Sequence, residues 1–246
     1  MHNNIQYESL LVGLSYVISV LGSYTALQLA IAIPQAKDRL TALGWVTGAA
    51  LALGGGGIWS MHFIAMNAAD MGMPVSYDAF LTAASLAMGI VASGVGLYVV
   101  GRGGGGTGTL IAAGTVTGLG VALMHYTGMA AMIMPARISY DPPLFYASLV
   151  IAAVAATVAL WLAFNLRGNL QRFGSALVMG VAVCGMHYTG MYAVQMTPTA
   201  EPVAATGISL PPATLGQWVF GVSAVVLVLL LMFNAWKAQR SVVADV

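Results

Sequence analysis

Charge is what this 246-residue chain has least of. Only 6% of its residues are charged, 8 basic and 7 acidic, where a soluble domain carries about 25%. So few charges cannot cover a water-facing surface, and 59% of the residues are hydrophobic. The expected solvent is a lipid bilayer. A net charge of +1 excludes the dense basic face that nucleic acid requires. One cysteine, Cys184, excludes a disulfide scaffold. The opening MHNNIQYES lacks the basic region of a cleaved signal peptide. Lysine occurs only as Lys37 and Lys237, both flanking apolar runs, so no Schiff-base lysine of a retinal protein is present. No charge falls at the middle of an apolar run, which argues against a proton pump or an ion-coupled transporter.

Long apolar runs are abundant. A helix crosses a bilayer with roughly 20 apolar residues, and seven segments qualify: 10–33, 43–67, 79–100, 109–132, 144–166, 175–195 and 214–236. Lys37, Arg39, Arg102, Arg167, Arg172, Lys237 and Arg240 fall on one side, and Arg137 alone on the other. By the positive-inside rule the first side is cytoplasmic. The N-terminus is then outside and the C-terminus inside, with Glu8, Asp70, Asp78, Asp141 and Glu201 at the outer face. Trp45, Trp161, Trp218 and Trp236 lie near span ends, as interfacial anchors do. The glycine run from Gly101 to Gly106 has no Gly-Lys-Ser/Thr ending and reads as a cytoplasmic connector. Gly54 to Gly57, inside span two, suit a tight helix contact or a kink.

One pattern occurs three times: Ser60-Met61-His62-Phe63-Ile64-Ala65-Met66, Leu123-Met124-His125-Tyr126-Thr127-Gly128-Met129 and Gly185-Met186-His187-Tyr188-Thr189-Gly190-Met191. The histidines are 63 and then 62 residues apart. That period is one pair of transmembrane helices with their loops. Gly55, Gly118 and Gly180 each precede a histidine by seven. Ser76-Tyr77-Asp78 and Ser139-Tyr140-Asp141 recur after the first two copies, and Ile208-Ser209 follows the third. The predicted fold is an all-α membrane protein of seven transmembrane helices: one added N-terminal helix, then three parallel two-helix repeats at about 40–101, 107–167 and 172–237. A pseudo-threefold bundle is the expected packing. Residues 1–240 read as a single domain, and 241–246 as the start of a linker or tail.

Each motif histidine shares a helical face with a methionine four residues on: His62 with Met66, His125 with Met129, His187 with Met191. Three helices from equivalent positions would bring three imidazoles and three thioethers to one axis at one depth. That donor set suits copper, Cu(I) above all. Eleven of the 15 methionines fall within the three motif windows, where even scatter would place about two. Taken singly, each histidine has a plainer reading as a helix-helix hydrogen bond, and each methionine as core filler. Met61, Met124 and Met186 either line the site or pack beside it. Met71, Met134 and Met196 are expected past the helix ends, at the outer surface. Tyr126 and Tyr188 either hydrogen-bond a ligand or sit as interfacial rings. Thr127, Gly128, Thr189 and Gly190 read as close-packing residues, Cys184 as a small apolar residue, and His2 as a solvated terminus. Asp70 reads as a surface carboxylate, with guarding an outer entrance as the alternative.

The two full copies, Met124-His125-Tyr126-Thr127 and Met186-His187-Tyr188-Thr189, resemble the MHYT family of bacterial integral-membrane sensor domains. The resemblance covers nearly the whole chain. It implies copper binding, detection of oxygen, carbon monoxide or nitric oxide, and output through a cytoplasmic domain that makes or degrades cyclic di-GMP. The implied ligands are His62, His125 and His187, with Met61, Met124 and Met186, and also Met66, Met129 and Met191. Phe63 and Ile64 depart from the motif in the first copy. The resemblance further implies the bacterial inner membrane, an output enzyme lying outside this chain, fused or separate, and by analogy a homodimer. The chain ends about ten residues after span seven, which fits an excised sensor region or a naturally short version. Two other functions stay open: a haem-binding electron carrier using two of the histidines, and a copper transporter. A third is a structural module that dimerises its partner. A phosphatase reporter that works only outside the cytoplasm should be active when fused after Gly72 and inactive after Gly103; the opposite pattern inverts the orientation.

Overall fold

A computed structural model of the chain describes residues 5–103, 106–166, 168–199 and 207–244. His2, Arg167, Glu201, and Gly104 and Gly105 of the connector lie outside the described residues. Helix α1 (Ser9–Ala30) is followed by the short α2 (Ala32–Gln35). Next comes a continuous rod made of α3 (Arg39–Ala50), a π-helical segment (Leu51–Trp59) and α4 (Ser60–Ala68). Then follow α5 (Ala79–Gly103), α6 (Thr107–Ala130), α7 (Pro142–Asn165), α8 (Asn169–Tyr192) and α9 (Pro212–Ala244). Among the described residues, six of these rods are long and apolar enough to cross a membrane. The spanning part is therefore an all-helix membrane protein. Helix α8 is 24 residues long and lies outside those six; it opens on the polar stretch Asn169-Leu170-Gln171-Arg172 and carries His187, Tyr188 and Thr189 near its other end.

Short strands, unexpected from the sequence, tie the helix ends together. Strands β1 (Gln6–Tyr7) and β2 (Ala69–Asp70) pair. Strand β3 (Ser76–Asp78) pairs with β4 (Met132–Ile133), and β5 (Ala136–Tyr140) with β6 (Val194–Pro198). Strand β7 (Ser209–Leu210) adds to the other edge of β3. The register repeats: Tyr7 opposite Ala69, Tyr77 opposite Met132, Tyr140 opposite Val194. One residue on, the N–H groups of Glu8, Asp78 and Asp141 donate to the carbonyls of Ala68, Ala131 and Ala193 at 2.9, 2.8 and 2.7 Å. Asp78 and Asp141 also cap α5 and α7, accepting from the N–H of Leu81 and Leu144. The repeated Ser-Tyr-Asp thus has a local cause: a strand residue, a ring and a helix cap.

The packing differs from the expected order in one respect. Helix α1 sits in the ring, against α8 on one side and the α3–α4 rod on the other. Helix α5 joins that rod to α6, and α7 joins α6 to α8. Helix α9 lies outside, against α4, the π-helical segment and α1. In space the ring is therefore closed by α1, and the helix outside it is α9. Side chains show why. Ser15, Ser85 and Ser148 stand at equivalent places on α1, α5 and α7, and each donates to the carbonyl three residues back at 2.7 Å. Each also receives a donor from the neighbouring motif helix: Tyr188, Trp59 and Tyr126. Counted from the matching loop, α9 carries Trp218 there, which is 68% exposed. An indole cannot enter a hydroxymethyl-sized slot. The sequence signal was the opening Ile5-Gln6-Tyr7-Glu8, a loose copy of Ile138-Ser139-Tyr140-Asp141.

Glycines let the rods approach, as they must where lipid supplies no hydrophobic drive between helices. A Cβ on Gly54 would overlap the backbone of Gly89, and one on Gly118 the backbone of Ala152. The glycine run of span two is both a close contact and an irregularity: it forms the π-helical segment, a form that costs less where side chains are absent. Gly118→Leu should lower the detergent-state unfolding free energy by at least about 3 kcal/mol, since the clash is with backbone. Gly13→Leu, with nothing within 4 Å, should leave the thermal unfolding curve unchanged.

Candidate metal centre

The three motif histidines meet. His62 on α4, His125 on α6 and His187 on α8 lie roughly a turn and a half before their helix ends, and all are at most 1% exposed. His62 Nδ1 is 3.1 Å from His187 Nδ1 and 3.2 Å from His125 Nδ1. The ring centroids are 4.9, 5.0 and 5.1 Å apart, with interplanar angles of 79°, 78° and 89°. The rings form a pinwheel with their Nδ1 atoms inward. At such separations each close pair has room for one proton, so at least one Nδ1 turns a lone pair to the centre. A cation there would draw all three lone pairs inward. Metal-imidazole bonds of 2.0–2.1 Å at trigonal to tetrahedral angles place nitrogens roughly 3.3–3.6 Å apart. The two spacings from His62, 3.1 and 3.2 Å, fall just short of that range.

Three consecutive stretches, residues 55–113, 118–176 and 180–244, match the MHYT repeat, described as the bacterial signalling protein N terminal repeat. The chain belongs to the MHYT family. It is 40% identical over 247 aligned positions to the bifunctional diguanylate cyclase/cyclic di-GMP phosphodiesterase MucR of Pseudomonas aeruginosa, covering 97% of this chain and 36% of that protein. It is 32% identical to the cyclic di-GMP phosphodiesterase NbdA of the same organism, covering 96% and 30%. It is 34% identical to the signaling protein YkoW of Bacillus subtilis, covering 82% and 26%. The chain thus spans about a third of the length of these curated relatives. No solved structure matches it.

The letters of the MHYT motif acquire separate physical reasons. The outer nitrogens, Nε2 of His62, His125 and His187, are buried with no hydrogen-bond partner among the described residues. His62 Nε2 abuts Gly128, and His125 Nε2 abuts Gly190: a Cβ at either glycine would overlap the imidazole. These glycines, read from sequence as packing residues, are what let each ring nest against the next helix. The first copy has Ala65 at the equivalent position. The residue after each histidine is an aromatic ring set edge-on to it: Phe63, Tyr126 and Tyr188, at 4.7, 4.8 and 4.9 Å. Each of these meets a strand tyrosine in turn: Tyr77, Tyr140 and Tyr7. Burial pushes the Tyr7 and Tyr140 phenols up to about 12, with smaller contributions from neighbouring tyrosines. At neutral pH they are uncharged rings covering the strand side of the triad.

The Tyr126 and Tyr188 hydroxyls are engaged by Ser148 and Ser15 at 2.6 and 3.4 Å. In the first copy Phe63 has no hydroxyl, and Trp59 Nε1 supplies the donor to Ser85 at 3.0 Å instead. Met61, Met66, Met124, Met129, Met186 and Met191 are all buried. Met124 lies against Gly89 of α5, and Met186 lines an axial cavity below the triad. Met134, expected at the outer surface, is only 2% exposed, in the short link between β4 and β5. Met71 and Met196 are partly buried, and so is Cys184. Asp70 accepts the Gly72 N–H in an exposed turn. Gly128→Ala and Gly190→Ala should each destabilise the fold by about 1–3 kcal/mol through overpacking and broaden the imidazole resonances in NMR spectra. Ala65→Gly should cost only about 0.5–1 kcal/mol.

Proposed function

We propose that this chain is the membrane sensor part of a cyclic di-GMP signalling protein and that it holds copper between His62, His125 and His187. The observation that supports it most is the convergence of three buried imidazoles, with His62 Nδ1 at 3.1 and 3.2 Å from the Nδ1 atoms of His187 and His125 and one ligand atom from each ring within 4.8 Å of the others. Imidazole with thioether nearby favours copper, whereas zinc sites more usually include thiolate or carboxylate. The triad also has one imidazole more than a haem's axial positions use. Copper bound there supplies affinity for a diatomic molecule such as oxygen, carbon monoxide or nitric oxide, or is itself the signal. The protein's residues do the rest. The histidines hold, Gly128 and Gly190 set ring orientation, and the aromatic pairs above them exclude water. Met66, Met129 and Met191 lie one turn further along the same helices, where a thioether can complete or shield the site.

On this reading α8 also crosses the membrane, as the sixth of seven spans, the N-terminus is outside, and the C-terminal end of α9 faces the cytoplasm of a bacterial inner-membrane protein. The relatives named for cyclic di-GMP turnover support an output of that kind, catalysed by a cytoplasmic domain rather than by this chain. Such domains favour a homodimer. The test is metal analysis of detergent-purified protein beside a variant carrying His62→Ala, His125→Ala and His187→Ala. Copper in the first and none in the second is expected; equal, near-zero copper in both overturns the reading.

A further inference from the structure

A cavity of about 50 Å³ lies on the pseudo-threefold axis, on the far side of the triad from the strands. Its roof is Ile58, Val121 and Val183, each four residues before a motif histidine and so about 5–6 Å along the helix from it. Its floor is Leu27, Leu97 and Leu160, which occupy equivalent places on α1, α5 and α7, twelve residues after Ser15, Ser85 and Ser148. Midway along its wall α7 presents Ala156 where α5 presents Ser93. The walls are hydrocarbon except for the hydroxyls of Ser93 and Thr117, which have no hydrogen-bond partner among the described residues.

The cavity has a thin side. Ala155, Ala159, Met179 and Ala182 line it, and they also line the cleft between α7 and α8 on the outside of the ring. The outer edge of that cleft is Val150, Val154, Val158 and Val178, all exposed, which in a membrane means exposed to lipid. A water-sized molecule needs roughly 10–15 Å³ of such volume, so the cavity admits about three. Apolar cavities of this kind stay dry and take up apolar gases.

We propose that this axial cavity binds a small, uncharged, apolar molecule of the diatomic class, which enters from the lipid between α7 and α8. Its roof, one helical turn from the imidazoles, makes it the last station before the triad. As a route to the metal it rests on the sensor reading. As a binding site it rests on the cavity alone, so the two fail separately.

Xenon is the probe, applied to the full metal-free chain in nanodiscs and read by xenon NMR. A saturable signal above that of empty nanodiscs is expected. It should be lost in Ala156→Leu and weakened in Ala156→Val, the milder change that guards against misfolding. Val154→Trp, which caps the cleft without entering the cavity, should slow xenon exchange at unchanged occupancy. Absence of saturable binding in the unsubstituted chain, or equal binding with Ala156→Leu, overturns the site. Unchanged exchange with Val154→Trp overturns the entry route. Loss of copper binding alone leaves the site standing.

Discussion

Three imidazoles pressed together inside a hydrocarbon-like interior impose the constraint on which this structure depends. A buried polar group without a partner costs about 1–3 kcal/mol, and the triad buries six ring nitrogens, of which the three Nε2 atoms have no partner among the described residues. Three such nitrogens on neighbouring rings gather this cost around one point. Glycine backs two of the rings, aromatic rings flank all three, and the hydroxyls that surround the site are spent on one another rather than on the histidines. Such a cluster is difficult to explain as filler, because leucine would pack as well without leaving nitrogens stranded.

Repetition is how the constraint is met. The strand pairs, the backbone bonds at Glu8, Asp78 and Asp141, and the serines at 15, 85 and 148 recur around one axis. A symmetric ring places its histidines at a common depth without any element having to be specified separately. Departures from the symmetry carry their own compensation. Where Phe63 lacks a hydroxyl, Trp59 reaches the serine from one turn away.

Much of this was legible in the residues. The membrane setting, six of the seven expected apolar spans, the period of 62 to 63 and the meeting of the three histidines all follow from spacing and composition. The place of α1 and α9 did not. Spanning helices are apolar on every side, so their hydropathy does not say which face meets protein and which meets lipid. That information is held in Ser15 and Trp218, single residues with no periodic signal. The strands were missed because runs of two to five residues between long helices offer too little alternation to detect. The role of Gly128 and Gly190 was hidden for another reason: a glycine's contribution here is the space it leaves for a ring on a different helix, far away in sequence.

Helix α9 adds a mechanical point. Because α1 closes the ring, the last helix is fastened to the outside of a structure already complete. It touches α4, the π-helical segment and α1, and the Ser223 hydroxyl bonds Ser60, two residues from His62. Leu227 lies against Gly56 in the π-helical segment. The last helix is therefore held along one side only, the ring around the imidazoles is closed without it, and the two are joined at the motif helix whose winding is irregular.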